Sequence, residues 1–398
     1  MKKFILWGLA ASPYQLKMQS LLDFTGQSWE RWPQQAGRRS GLSMLLRLEV
    51  AKRRGTIQRF PAMSAEFDEY PAVPFYTDNG KIFYYDSSSM AHHLDQGQDP
   101  GRQTGRLIPQ DPRLAFICQL IDEAFDEFGL YMVHHMRWVG SAQTTPMGQM
   151  TAREFRRLLP PGVEPLLARR LCRRQISRCP YLFSVAPQGY DSGVARDRTP
   201  PSRPGFPPTH ALLDEAWRGY LAAMEHLLAN QPYLLGGRFT LADASVYGQL
   251  GMNLVDPQAI AQLELLAPNT FRWLCAIRDG RQVEQGGADL GLTSSLKPLL
   301  RIINSTFVAL MRQNEKAYEH AVADGETVFN EAAFDRHRAL YDGHLLGHPF
   351  RAVAKTFQVR VWRELKESWQ ALDVQDRKSL EQELLTDAGI ALSPDNAR

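Results

Sequence analysis

Residues 70–95 read YPAVPFYTDNGKIFYYDSSSMAHHLD. A short apolar run with a central proline, Val73-Pro74-Phe75-Tyr76, leads through Thr77-Asp78-Asn79-Gly80 into a second apolar run, Ile82 to Tyr85. Two such runs joined by an Asn-Gly turn predict a hairpin. The second run stops at Asp86-Ser87-Ser88-Ser89, where a hydroxyl can cap the amides of a following helix with Met90, Ala91 and Leu94 on its apolar face. A proline inside a strand forfeits a ladder hydrogen bond, so Val73-Pro74 marks either an edge position or a cis peptide at a substrate cleft.

Working outward, Lys3 to Gly8 (KFILWG) is a compact apolar strand. After Leu9-Ala10-Ala11-Ser12-Pro13 comes a helix with Tyr14, Met18, Leu21, Leu22 and Thr25 on one face. Proline in the first helical turn costs no hydrogen bond, because its missing donor would be unpaired there anyway. Ser12 therefore stands where a strand ends and a helix begins, beside free backbone donors and the positive end of the helix dipole. That is a place to hold an anion.

Together these stretches resemble the glutathione transferase family. The matching residues are Ser12-Pro13-Tyr14 after strand one, Val73-Pro74 before strand three, and the Asp86-Ser87 pair opening the third helix. The resemblance implies an α/β thioredoxin-like N-terminal domain followed by an all-α C-terminal domain. It also implies that Ser12 contacts the glutathione sulfur, that Val73 pairs its backbone with the cysteinyl part beside Pro74, and that Asp86 and Ser87 hold the γ-glutamyl end. Tyr14 is the second candidate hydroxyl. Ser12-Pro13-Tyr14-Gln15 further resembles a glutaredoxin Cys-Pro-Tyr-Cys run with both cysteines replaced. Between the second strand, Ser28 to Trp32, and Tyr70 lies a longer segment than a compact transferase has. Within it Gly41 to Arg54 reads as a helix carrying Leu42, Leu45, Leu46, Leu48 and Val50 and a solvated basic face.

At 398 residues the chain has room for two domains or slightly more. It is 44% hydrophobic and 22% charged, as a globular protein is. A net charge of +3 does not argue for nucleic acid, and no basic stretch shows the aromatic interleaving of single-strand binders. The four cysteines, Cys118, Cys172, Cys179 and Cys275, form no Cys-x-x-Cys pair and read as reduced thiols. The first residues, MKKFILWGLAAS, resemble a short signal peptide, but cleaving them would delete the first strand and Ser12. No stretch approaches the roughly 20 apolar residues of a membrane span. The expected location is the cytoplasm, with no membrane partner.

The polar segment from Gln96 to Gly101 is expected to link residues 1–96 to a helical domain over 97–291. From Pro112 a long amphipathic helix runs past six turns through Leu114, Ile117, Leu120, Ile121, Ala124, Phe128, Tyr131, Met132 and His135, with Asp122, Glu123, Asp126 and Glu127 expected on its solvated face. Residues 186–208, with six prolines and three glycines, read as a surface loop that contributes no core element, or a lid. Leu212 to Leu228 form another helix, and Thr240 and Asp243 have capping-box spacing. That box, preceded by Tyr233-Leu234-Leu235-Gly236, is similar to the folding signature of the transferase helical domain. The resemblance ends near residue 280. Apolar positions beyond it predict a helical extension over 292–398 that packs on the helical domain and can close over the cleft.

The histidine groups, His92-His93, His134-His135 and His344 with His348, have no zinc-site spacing, so no metal is expected. There is no phosphate-binding loop or dinucleotide fingerprint. The function the resemblance implies uses glutathione as co-substrate. Its thiol has a pKa near 8.5 and is a poor nucleophile at neutral pH until a hydroxyl and a helix dipole favour the thiolate, which then attacks a small-molecule electrophile. The alternative is a non-catalytic binding or regulatory protein on the same fold. These folds are often homodimers, so a homodimer is a possible assembly.

Overall fold

The computed structural model describes residues 3–60, 73–96, 105–283 and 289–390. The Tyr70 lead-in and the 97–101 linker lie outside the described residues. In the first half, β1 (Phe4–Trp7) is followed by α1 (Pro13–Phe24), β2 (Trp29–Trp32), α2 (Arg38–Arg54), β3 (Phe75–Thr77) and α3 (Ser87–Gln96). The strand order is β2-β1-β3, with β2 parallel and β3 antiparallel to β1. The Val73–Pro74 peptide is cis.

The second arm of the expected hairpin is reduced to one residue. Tyr84 exchanges both backbone hydrogen bonds with Tyr76, and its neighbour Tyr85 donates to Gln58. The cap of α3 is also different from the expected hydroxyl: the Asp86 carboxylate accepts from the Ser89 amide at 3.0 Å. On α2 the inward face is Gly41, Met44, Leu48 and Ala51, packed with Trp7 and Phe75, while Leu42, Leu45, Leu46 and Val50 are exposed. The leucines alone did not mark the buried stripe, because the charged residues between them leave two faces of similar polarity.

The helical half opens with α4 (Pro112–Ala124) and α5 (Leu130–His135), joined and followed by widened turns at Phe125–Gly129 and Met136–Gly140 into one continuous rod. Asp111 starts it, its carboxylate accepting from the Arg113 and Leu114 amides. Then come α6 (Met147–Glu154), α7 (Glu164–Ser177), α8 (His210–Leu228), α9 (Leu241–Gly251), α10 (Pro257–Leu266) and α11 (Pro268–Arg278). The capping box forms at α9: one Asp243 oxygen accepts from the Thr240 amide at 2.8 Å, the other from Leu234 at 2.9 Å. Gly248 lets α9 cross α1 closely, since a Cβ there would stand 2.6 Å from the Pro13 carbonyl oxygen.

Within residues 186–208 only one short turn is helical, yet the segment does reach a core. Phe206 is buried against Val185, Ala333, Phe334 and Val353, and the Arg203 guanidinium lies 4.0 Å from the Phe334 ring centroid.

The extension carries α12 (Lys297–Ile303), α13 (Ala309–Ala323), α14 (Glu331–Asp335), β4 (Leu340–Leu345), β5 (His348–Val353), α15 (Thr356–Ala371), α16 (Val374–Leu380) and α17 (Thr386–Ala388), the last closed by left-handed Gly389. The β4–β5 hairpin departs from an all-helical extension. Its two-residue turn, Leu346-Gly347, has positive φ at both positions (50° and 78°), the twist that short hairpins need. The core is continuous from Leu6 and Met18 through Phe125 and Tyr220 to Trp362 and Trp369, so the extension shares one apolar interior with the helical half. Trp369 packs on Phe116 at 5.2 Å between ring centroids, which fixes α15 against α4.

Candidate functional site

A cavity of about 280 Å³ opens where α1, the start of α3, the α4–α5 rod and α15 meet. Of the six residues marked in the sequence, Tyr14, Val73, Pro74, Asp86 and Ser87 line it. Ser12 is not among the lining residues. It is the N-cap of α1, half-buried, with its amide bonded to the Leu9 carbonyl at 3.0 Å and no side-chain capping bond. Tyr14, two residues further along, reaches the cavity, and its hydroxyl donates to the Asp126 carbonyl at 3.0 Å. Burial, with the Asp126 and Glu127 charges behind it, pushes the Tyr14 phenol well above its ordinary range, so it stays a donor.

Four acids expected in solvent are buried instead. Asp122, Glu123, Asp126 and Glu127 are each less than a tenth exposed, and the last three line the cavity. Asp126 and Glu127 fall in the widened turn of the rod, an irregularity frequent at functional sites. What permits this burial is Lys17, fully enclosed on the inner face of α1. Its ammonium donates to Asp122 at 2.5 Å, Asp126 at 2.6 Å and Ser88 at 2.8 Å. Ser245 of α9 donates to the second oxygen of Asp126 at 2.9 Å. Lys17 thus ties α1 and α3 to the rod directly beneath the cavity. Burial works to lower the Lys17 pKa, but the two aspartates outweigh it and raise it.

The remaining acids are less well matched. Burial, reinforced by the Asp122 and Asp126 charges, drives the Glu123 carboxyl well above the usual range. Burial also raises Glu127 to about 7, against the opposing pull of a Gln358 hydrogen bond and the Lys355 charge. Asp86 behaves oppositely. Burial disfavours its charge, yet Arg59 and Arg360 hold it below the ordinary carboxylate value. Arg59 Nε donates to Asp86 at 2.6 Å, Arg360 Nη2 lies 3.8 Å from the same oxygen, and Glu364 bridges Arg59 and Arg360 at 3.3 and 2.9 Å.

The extension therefore builds one wall of the site. Lys355, Phe357, Gln358 and Arg360, at and just before the start of α15, line the cavity together with Tyr14 and Asp86. Leu130, Tyr131, Tyr181, Leu182 and Phe357 give the cavity an apolar, aromatic part of its lining. Chemically, the lining offers carboxylates, serine hydroxyls and the N-terminus of α3 together with aromatic rings. Lys17, Arg59, the four acids and the α15 residues were missed from the sequence. The one available signal was a lysine in the otherwise apolar stripe of α1. Among the described residues, no group of three or more His, Cys, Asp or Glu side chains is arranged to hold a metal ion, and no helix is long and apolar enough to cross a membrane.

Residues 199–274 match the family model described as glutathione S-transferase, C-terminal domain. None of the curated proteins compared matches the sequence. Among solved structures, the chain is similar to a glutathione S-transferase from Pseudomonas fluorescens at 15% identity and a TM-score of 0.33, over 68% of this chain and 92% of that one. It is similar to a beta-etherase from Sphingobium sp. strain SYK-6 at 18% identity and a TM-score of 0.40, over 71% and 98%. A glutathione S-transferase from Methylobacillus flagellatus, solved with glutathione bound, is 14% identical with a TM-score of 0.34, over 70% and 98%.

Proposed function

We propose that this chain, which has the glutathione S-transferase fold and carries that family's C-terminal domain at residues 199–274, is a glutathione-dependent transferase acting on an electrophilic small molecule. The observation that carries the reading is convergence: Tyr14 from one stretch of the chain and Val73, Pro74, Asp86 and Ser87 from another line one cavity. Asp86 suits the γ-glutamyl ammonium, and Ser87 with the amides opening the ten-residue α3 suits its carboxylate. In the reaction the glutathione thiol gives its proton to solvent. The sulfur then forms a bond to the electrophilic carbon, and the leaving group departs with the bonding electron pair.

Two hydroxyls compete to stabilise the thiolate. Tyr14 is inside the cavity but already donates to the Asp126 carbonyl. Ser12 makes no capping bond but lies outside the lining. Turnover by Ser12→Ala and Tyr14→Phe separates them, since only loss of the true donor lowers the rate while leaving glutathione affinity in place.

A specific observation favours the second reading, a binding or regulatory protein without turnover. Asp86 is already engaged by Arg59 and Arg360 of the same chain, so the glutathione ammonium must compete with them. Calorimetric titration of the full chain with reduced glutathione, followed by chloride release from 1-chloro-2,4-dinitrobenzene, decides the matter. Ser87→Ala is expected to weaken binding about tenfold, the worth of one hydrogen bond to a charged group. No heat at millimolar glutathione overturns the proposal, and a filled site without turnover leaves the second reading standing.

A further inference from the structure

We infer that the aromatic part of the cavity is a binding site for a small aromatic carboxylate, with Lys355 as the residue that selects it. This deepens the transferase reading by naming its second substrate class, and it rests on that reading only for what happens to the carboxylate after it binds.

The position of Lys355 is fixed at both ends. Its peptide is clamped by the buried Asn314 amide of α13, which accepts from the Lys355 N–H at 2.8 Å and donates to its carbonyl at 3.0 Å. Its ammonium donates to the Tyr131 hydroxyl at 2.7 Å and lies 4.8 and 4.4 Å from the Tyr131 and Tyr181 ring centroids. Gln358 also donates to the Tyr131 hydroxyl, at 2.9 Å. A cation held this firmly, beside two tyrosine rings at the wall of a cavity, is a preorganised anion site.

The other cations around the cavity each have a carboxylate. Lys17 has Asp122 and Asp126, Arg59 has Asp86, Arg360 has Glu364, and Arg178 has Glu331 at 3.1 Å. Among the described residues, no carboxylate lies within ion-pair distance of Lys355. The nearby Glu127, raised to about 7, carries only part of a charge at neutral pH and so opposes an entering anion weakly. Tyr131 and Tyr181 flank the ammonium, and Leu130, Leu182 and Phe357 line the same cavity, which suits a ring rather than the aliphatic backbone of glutathione. A ring stacked on the tyrosines with its carboxylate on Lys355 satisfies both features.

The test uses the full chain and two matched probes, 4-chloro-3-nitrobenzoate and 4-chloro-3-nitrobenzamide, titrated calorimetrically with and without glutathione. The wild type is expected to bind the benzoate at least tenfold more tightly than the amide. Lys355→Met should abolish that preference and Lys355→Arg should retain it, with the folded state of each variant checked by its thermal melt. Equal affinity for the two probes, no binding of either, or a preference that survives in Lys355→Met overturns the inference. Loss of glutathione affinity in Lys355→Met without any change for the benzoate overturns it too, by assigning the lysine to glutathione. A Lys355-dependent benzoate preference in a protein that gives no heat with glutathione would sustain this inference while refuting the transferase reading.

Discussion

Replacing Lys17 by methionine tests the electrostatic foundation of the site. Methionine keeps the unbranched stem, so the apolar contacts of α1 with α9 change little and the charge is what is lost. The ammonium contacts Asp122, Asp126 and Ser88 at 2.5, 2.6 and 2.8 Å, with the lysine side chain and Asp122 almost wholly enclosed. Removing one partner of a buried pair leaves uncompensated charge and costs about 3–5 kcal/mol. Here two carboxylates are stranded, so the upper part of that range is expected at pH 8. The protein has one escape, which is to protonate Asp126. Burial already raises its pKa and Lys17 is the main opposing charge, so the variant's value rises further. A carboxyl raised in the folded state contributes stability that is present below its unfolded pKa and is lost as pH rises through the folded value. The deficit of Lys17→Met should therefore shrink between pH 8 and pH 5, by up to about 1.4 kcal/mol per unit within that window. Urea unfolding of wild type, Lys17→Met and Lys17→Met/Asp126→Asn at both pH values measures this, and the double variant should recover part of the loss at pH 8. A deficit under about 1 kcal/mol, or one independent of pH, would refute the idea that this triad permits the burial of the acids.

Other consequences follow from the same geometry. Glu127→Gln removes a carboxyl raised from 4.5 to about 7 by burial, so its folded charged form is disfavoured above neutrality. The variant should match wild type at pH 4, below both values, and exceed it by about 3 kcal/mol at pH 8, read from paired thermal melts. Gly248→Ala places a methyl 2.6 Å from the Pro13 carbonyl oxygen and 2.9 Å from Lys17 Cβ. Forcing α1 and α9 apart should cost about 1–3 kcal/mol by urea unfolding. Trp369→Ala, at the buried contact of α15 with Phe116, should cost about 3–5 kcal/mol. By loosening the wall that carries Lys355 and Arg360, it should also raise hydrogen exchange of the α15 amides, and unchanged protection there would count against α15 as a docked wall.

Much of the fold was legible because its signals are local. The apolar run at Phe4–Trp7, proline in the first turn of α1, the periodicity of α8 and the Thr240–Asp243 box each involve neighbours a few residues apart, where propensity and capping act. The conjunction of Ser12-Pro13-Tyr14, Val73-Pro74 and Asp86-Ser87 likewise drew attention to the region where the cavity lies. Other features were not legible. The hairpin at 340–353 was hidden because its turn is Leu346-Gly347, a leucine where a turn-former would announce itself. Phe206 looked like part of a proline-rich surface loop because three of the side chains that bury it, Ala333, Phe334 and Val353, lie more than a hundred residues away.

The acidic residues draw the line most clearly. By its periodicity alone, the sequence determined that Asp122, Glu123, Asp126 and Glu127 share one flank of a helix, and a charged flank is normally solvated. Only the tertiary structure decided that this flank is buried, because burial of a charge depends on a counter-charge that local pattern does not specify. Lys17 supplies it from 105 residues away to Asp122, and Asp86 receives the same from Arg59, 27 residues before it, and from Arg360 in the extension. Periodicity fixes which residues can face the same way. Long-range pairing of charges fixes what that face meets, and here it is a cavity rather than water.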